Sequence, residues 1–329
     1  MKKLFSLLLA LALVVTCLAG VSFAADPVAR IINGDKVVEL EAPLQDEKFE
    51  SLISPEGTTV IEILKDFRTS EFGMWSPYTV TIDLKGHKIT TGRNGLHVEA
   101  AGSVNSQTVI KNGTINSLGA LGIRIQGGSV LVDNCTVLGT TSNAFGLYST
   151  DGGNAVLKNS TFVSKALNAV GFHVEGKDQS KSTIEIENCT LITVSETNSQ
   201  VLGSRASVPG TFKLGKGVKM YTYRVETPCN SKAKYEGEAY TFVQGLQNVL
   251  VEGLSTTYYD LNMWTTPEYV APAEPETPVQ PAAPATPATP SVPTTNVPDV
   301  NVPKTGASVI ALGVMAMVSL AGAVVTKKH

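Results

Sequence analysis

The chain has 329 residues, with 26 Lys and Arg against 29 Asp and Glu, a formal charge of −3. Charged residues make up only 17% of it, modest for a cytoplasmic enzyme, and the length suits one large domain with tails. The acidic balance argues against nucleic acid as a partner. It says little about glycans or other proteins.

In chain order, Lys2 and Lys3 precede an apolar run from Leu4 to Leu18, and the small residues Ser22 and Ala24 occupy the positions that favour cleavage before Ala25. Residues 1–24 therefore read as a secretory signal peptide, since the run is short for a bilayer core. Cys17 follows Thr16 where a lipoprotein signal would have Gly or Ala. Residues 25–59 are an amino-terminal cap region. Within about Gln45 to Ser54, Phe49, Leu52 and Ile53 at helical spacing predict a short amphipathic helix closing the end of a core.

Residues 60–266 form the main domain. Val60 to Asp66 and Thr79 to Ile89 read as strands, with Phe67, Phe72, Trp75 and Tyr78 between them as either a sugar platform or packing at the end of the core. One short phrase then recurs. Asn-x-Thr returns at Asn112, Asn134, Asn159 and Asn188, at intervals of 22 to 29 residues and always followed by an apolar residue. Such a period implies coils that stack on copies of themselves. Asn suits a recurrent turn because it tolerates the left-handed conformation, and stacked amides can bond as a ladder. The preceding column, Lys111, Asp133, Lys158 and Glu187, alternates in sign. Its cross-strand pairs are each worth a few tenths of a kcal/mol.

A second phrase runs in phase with the first: Gly95-Leu96-His97-Val98-Glu99, Gly122-Ile123-Arg124-Ile125-Gln126, Gly146-Leu147-Tyr148-Ser149-Thr150 and Gly171-Phe172-His173-Val174-Glu175. Apolar and polar residues alternate within it, as in a strand with one buried face. After Val194 the phrase decays, and irregular coils or a cap are expected.

The run Ile61-Glu62-Ile63-Leu64-Lys65-Asp66, followed by Thr81-Ile82-Asp83-Leu84-Lys85-Gly86-His87-Lys88-Ile89 and Ile110-Lys111-Asn112-Gly113-Thr114-Ile115, resembles the opening of secreted proteins of the pectate-lyase-like superfamily. The resemblance covers roughly Val60 to Val194 and implies an all-β fold, a right-handed parallel β-helix. It also implies that an outer face binds sugar. The outward residues expected there are His97, Arg124, Tyr148 and His173, with Glu99, Gln126, Thr150 and Glu175 beside them. The plainer reading is ordinary solvated side chains. Glu99 and Glu175 fall three coils apart, near 14 Å at about 4.8 Å per step, too far for the two carboxyls of a glycosidase. Arg124 lacks the acidic cluster that would hold calcium in a lyase of the superfamily. No catalytic residue is assigned, and a binding or scaffold protein is expected ahead of a polysaccharide lyase or hydrolase.

Cys135 and Cys189 share a slot two coils apart, roughly 9.6 Å at about 4.8 Å per strand, beyond disulfide reach. With Cys229 they suggest buried spacers. No zinc spacing, other metal site or cofactor motif is found. Tyr258, Tyr259 and Trp264 close the domain.

Residues 267–301 form a linker in which prolines recur every third residue from Pro272 to Pro293, the period of polyproline II. Fully extended it spans on the order of 110 Å. Residues 302–329 follow: Val302-Pro303-Lys304-Thr305-Gly306, an uncharged run from Ala307 to Thr326, then Lys327, Lys328 and His329. This resembles the LPxTG-type sorting signal of Gram-positive surface proteins, with Val302 in place of the usual Leu. The resemblance implies a sortase as partner, Thr305 as the residue joined to peptidoglycan, and transient membrane retention through 307–326. The expectation is a secreted, wall-anchored protein that displays its domain to an extracellular polysaccharide or host ligand. Without both signals the body carries about −7.

Overall fold

Alternation of buried and solvent-facing residues builds a stack of about seven turns. The computed structural model describes residues 26–41, 52–75, 78–99, 107–149, 152–197, 200–230, 232, 234–251 and 258–268. The expected signal peptide (1–24), most of the expected linker (267–301) and the expected sorting signal (302–329) with Thr305 lie outside the described residues. Among the described residues no α-helix occurs, and none is long and apolar enough to cross a membrane.

The amino-terminal end carries a hairpin of β1 (Ala29–Asn33) and β2 (Lys36–Leu40). The first coil is β3 (Thr58–Ile63), β4 (Phe67–Thr69) and β5 (Phe72–Trp75), and the second is β6 (Thr79–Asp83), β7 (Lys88–Thr91) and β8 (Leu96–Glu99). In the third and fourth, the first two segments merge into the long strands β9 (Gln107–Ser117) and β11 (Ser129–Gly139), each followed by a short strand, β10 (Ile123–Gln126) and β12 (Phe145–Leu147). The fifth coil is β13 (Asn154–Lys158), β14 (Thr161–Ser164) and β15 (Val170–Phe172). The sixth is β16 (Thr183–Glu187), β17 (Thr190–Thr193) and β18 (Leu202–Ser204). The seventh has β19 (Thr211–Leu214) and β20 (Lys219–Thr222), followed by β21 (Lys234–Gly237), β22 (Thr241–Leu250) and β23 (Tyr258–Thr265).

Corresponding strands pair in parallel, so like residues stack. Ile61, Ile82, Ile110, Val132, Leu157, Ile186 and Leu214 form one inward column, all at most 2% exposed. Ile89, Ile115, Val137, Phe162, Leu191 and Met220 form a second. Phe72, Leu96, Ile123, Phe145, Val170 and Leu202 form the third, on a separate six-stranded sheet. Each such side chain contributes about 1.5–3 kcal/mol by leaving water.

The bend between the first two segments is made by Asn112, Asn134, Asn159 and Asn188, all with positive φ. Their amides do not form one continuous row. Asn188 Nδ2 donates to Asn159 Oδ1 at 2.8 Å, but Asn159 Nδ2 donates to Asp133 Oδ1, also at 2.8 Å. Asn134 Nδ2 donates to Asn112 Oδ1, and Asn112 Nδ2 to Asp83 Oδ1, both at 3.1 Å. The ladder is thus two short runs, each ending on a carboxylate, a stronger acceptor than an amide oxygen. The charge column is correspondingly uneven: Lys158 meets Glu187 at 3.2 Å, while Lys111 turns to Asp83 at 3.5 Å.

Of the segment expected to be a helical cap, about Gln45 to Ser54, residues 45–51 lie outside the described residues. The hairpin β1–β2 lies at this end, β1 pairing antiparallel with β3. At the other end, β23 pairs antiparallel with both β20 and β22. Val251 and Leu261 from this hairpin bury a second apolar cluster with Leu138, Val163 and Ile192 on the outer side of the sheet. Trp264 is buried against Phe242, ring centroids 5.0 Å apart, whereas Tyr258 is exposed. Cys135, Cys189 and Cys229 are free and buried, and burial pushes the first two thiols up to about 12 and Cys229 to about 11.

Candidate ligand face

The outer face of the six-stranded sheet carries the expected polar residues in a different register. His97 pairs with Arg124 as expected, but Arg124 pairs next with Gly146, Gly146 with Gly171, and Gly171 with Gly203. Tyr148 and His173 stand two residues further on, in the column of Glu99 and Gln126, where Tyr148 N bonds Ile125 O and His173 N bonds Leu147 O. The two-residue slip follows from what the glycines do. Gly95 and Gly122 precede their strands, where a Cβ would strike the next coil's backbone at 1.9 and 2.5 Å. Gly146, Gly171 and Gly203 sit within their strands, under Leu121, Asn143 and Asn168, which a Cβ would meet at 2.2–2.6 Å. Glu175 lies in an exposed turn beyond β15, away from the expected column, and Thr150 lies outside the described residues.

The side chains that do meet form one strip. His97 Nε2 stands 3.8 Å from Glu99 Oε2. Gln126 links the two halves, donating from Nε2 to Glu99 Oε1 at 2.9 Å and accepting from Arg124 Nη2 at 3.2 Å. The Arg124 guanidinium lies 4.4 Å above the Tyr148 ring. That ring lies 4.9 Å from His173 at 32°. Such a cation–π stack is worth about 1 kcal/mol, and it holds three flat groups in file across three coils.

Burial sets the charge state of the strip. It raises the Glu99 carboxyl above its usual range, with Arg124 opposing, and raises the Tyr148 phenol likewise. His173 is pushed down to about 4 by burial and then by Arg205 and Arg124. At neutral pH both rings are therefore uncharged, and the guanidinium beside them is the fixed charge. Two buried polar atoms, Arg124 Nε and Asn143 Oδ1, have no hydrogen-bond partner among the described residues.

Arg205 was not expected here. Its N bonds Phe172 O, so it continues the column of Tyr148 and His173 into the sixth coil. The repeat phrase has decayed by this point in the chain, and its position could not be aligned. Of the early aromatics, Phe67 and Phe72 close the core, Phe72 being 2% exposed and meeting Phe67 edge to face at 6.2 Å, whereas Tyr78 is exposed. Among the described residues no group of His, Cys, Asp and Glu could hold a metal ion.

Comparison with known families adds one finding. Residues 69–210 match the family model described as a right handed beta helix region. The match agrees with the fold, a right-handed β-solenoid of about seven turns. The matched span of the β-helix runs from the end of β4 to just before β19 and includes every residue of the Arg124 strip. No curated protein and no solved structure matches the chain.

Proposed function

We propose that the chain is a secreted protein, anchored covalently to a Gram-positive cell wall through Thr305, whose β-helix binds an extracellular glycan on the outer face of its six-stranded sheet. The observation that carries the binding assignment is the stack of Arg124 on Tyr148 on His173. The stacked, uncharged rings offer their outer edges to the C–H groups of sugars, while their polar tips and the adjoining guanidinium offer hydrogen bonds. Arg124 Nε, buried and unpartnered among the described residues, is a donor a ligand would satisfy. The anchoring assignment rests on the sorting signal and on the proline-rich linker, which would hold the domain clear of the wall. Screening the full-length chain against acidic and neutral glycans tests the binding assignment; retention without turnover is expected, and no retention on any glycan contradicts it.

One observation favours an enzyme as the second reading. A His kept uncharged at neutral pH, beside a Tyr and an Arg, has the composition of a proton-abstracting site. An anchored polysaccharide lyase would release unsaturated sugar ends in the same screen, and Arg124→Ala would abolish the release. A hydrolase has less support, because the strip holds the single carboxyl of Glu99 where hydrolysis needs two.

A further inference from the structure

The hairpin at the carboxy-terminal end leaves one strand edge open. Among the described residues β22 pairs with β23 and with no other strand. Its second edge therefore presents backbone N–H and C=O groups that another strand can take up. Two further edge strands of the same sheet are guarded by charge, β2 by Lys36 and Glu39 and β21 by Lys234 and Glu236. From Thr241 to Leu250, β22 has no charged residue and no proline. Alternate positions along it also expose large apolar side chains, at Phe242, Leu246 and Leu250.

The sequence of β22 specifies what fits this edge. Read from either end, residues 242–250 give the same succession of chemical types: two apolar residues, an amide, a centre at Leu246, an amide and two apolar residues. Laid antiparallel on a second copy about a two-fold axis at Leu246, Phe242 meets Leu250, Val243 meets Val249 and Gln244 meets Asn248. Apolar side chains then face apolar ones and amides face amides. A charge near such an axis would face its own copy, and like charges directly opposite are destabilising. The uncharged strand avoids that repulsion in a protein of net negative charge. The register with β23 shifts between Val243 and Gln247, around Gly245 at a φ of 88°. Leu246 falls in this bulge, without a partner residue on β23, and stands outermost on the strand.

We infer that β22 is the docking strand for a second copy of this chain, the two strands pairing antiparallel about Leu246. Because the pairing uses up the open edge of each copy, the interface is isologous and closes at two. It spans fewer residues than the roughly 20–30 a side of stable interfaces, so the dimer exchanges readily with monomer. The surface shares no residue with the Arg124 strip and stands or falls independently of it.

The test is disulfide trapping in the full-length chain. In Leu246→Cys the two new thiols face each other across the axis, on Cα atoms about 4.5–5.5 Å apart, within disulfide reach. In Leu250→Cys they stand about 27 Å apart, from eight residue steps at about 3.4 Å. Oxidised with copper phenanthroline, Leu246→Cys gives a linked dimer on a non-reducing gel at several times the yield of Leu250→Cys. The unaltered chain sets the background, its Cys135, Cys189 and Cys229 being buried. Sedimentation in mild detergent over rising concentration supplies a second measurement. There Leu246→Lys abolishes the association, whereas Val225→Lys, at an equally exposed apolar residue outside the hairpin, leaves it unchanged. The two measurements use different substitutions, so a variant that fails to fold in one leaves the other standing. The inference is overturned if Leu246→Cys traps no more dimer than Leu250→Cys or the unaltered chain. It is overturned equally if the unaltered chain stays monomeric throughout, or if folded Leu246→Lys associates as the unaltered chain does.

Discussion

Asn159 donates its side-chain amide to Asp133, 2.8 Å away on the preceding coil, and not to Asn134 beside it. One carboxylate thereby divides the ladder. A double-mutant cycle with Asp133→Ala and Asn159→Ala should give a coupling of about 1–2 kcal/mol in chemical unfolding. Asn159→Ala alone should cost more than Asn159→Gly, because a residue with a Cβ pays about 1 kcal/mol at the positive φ found here. Equal losses from the two, or no coupling, would contradict this account of the turn.

His173 ties stability to acid. Its folded pKa of about 4 lies below the ordinary 6.5, so between those values the unfolded chain binds a proton that the native one does not. The destabilisation is absent above pH 6.5, grows as pH falls, and saturates below about 4 at roughly 3 kcal/mol, from 1.36 kcal/mol per unit. His173→Gln should flatten this part of the curve of melting temperature against pH. An unchanged slope between pH 6 and 4 would show that His173 titrates normally.

The carboxy-terminal hairpin is held by its inner face. Leu261 is fully buried in the second cluster, whereas Leu246 on β22 is 62% exposed. Leu261→Ala should cost about 2–5 kcal/mol, and Leu246→Ala less than about 0.5 kcal/mol, measured by urea unfolding. Comparable losses at the two positions would mean that the hairpin does not seat as described.

Much of the solenoid was legible because its two governing signals are local. A single left-handed residue at each bend required Asn, and alternation exposed the inward columns from Ile61 to Leu214. What escaped reading was non-local or ambiguous. Glycines serve two purposes, in front of the strand at Gly95 and Gly122 and inside it at Gly146 and Gly171, so aligning them as one class displaced Tyr148 and His173 by two residues. The hairpin over Leu138, Val163 and Ile192 has no repeat to betray it. Its trace lay in the adjacent apolar pairs Val137-Leu138, Phe162-Val163 and Leu191-Ile192, which mark burial on both faces of a strand. Arg205 was hidden by the loss of the phrase after Val194.

Anchoring is testable apart from binding. Thr305→Ala should move the protein from the covalent wall fraction to the membrane or the medium when Gram-positive cells are fractionated. Persistence in the wall after boiling in detergent would overturn the assignment of Thr305.

The central claim is that the Arg124, Tyr148 and His173 stack is the ligand face. Its most direct test is the affinity of Tyr148→Ala for whichever glycan the unaltered full-length chain retains in the screen against acidic and neutral glycans. Removing the middle ring should weaken that affinity at least about tenfold, the effect of losing roughly 1.4 kcal/mol, because the ring supplies an edge contact and holds Arg124 and His173 in place, while strand structure measured by circular dichroism stays unchanged. Undiminished affinity in a folded Tyr148→Ala protein would contradict the claim.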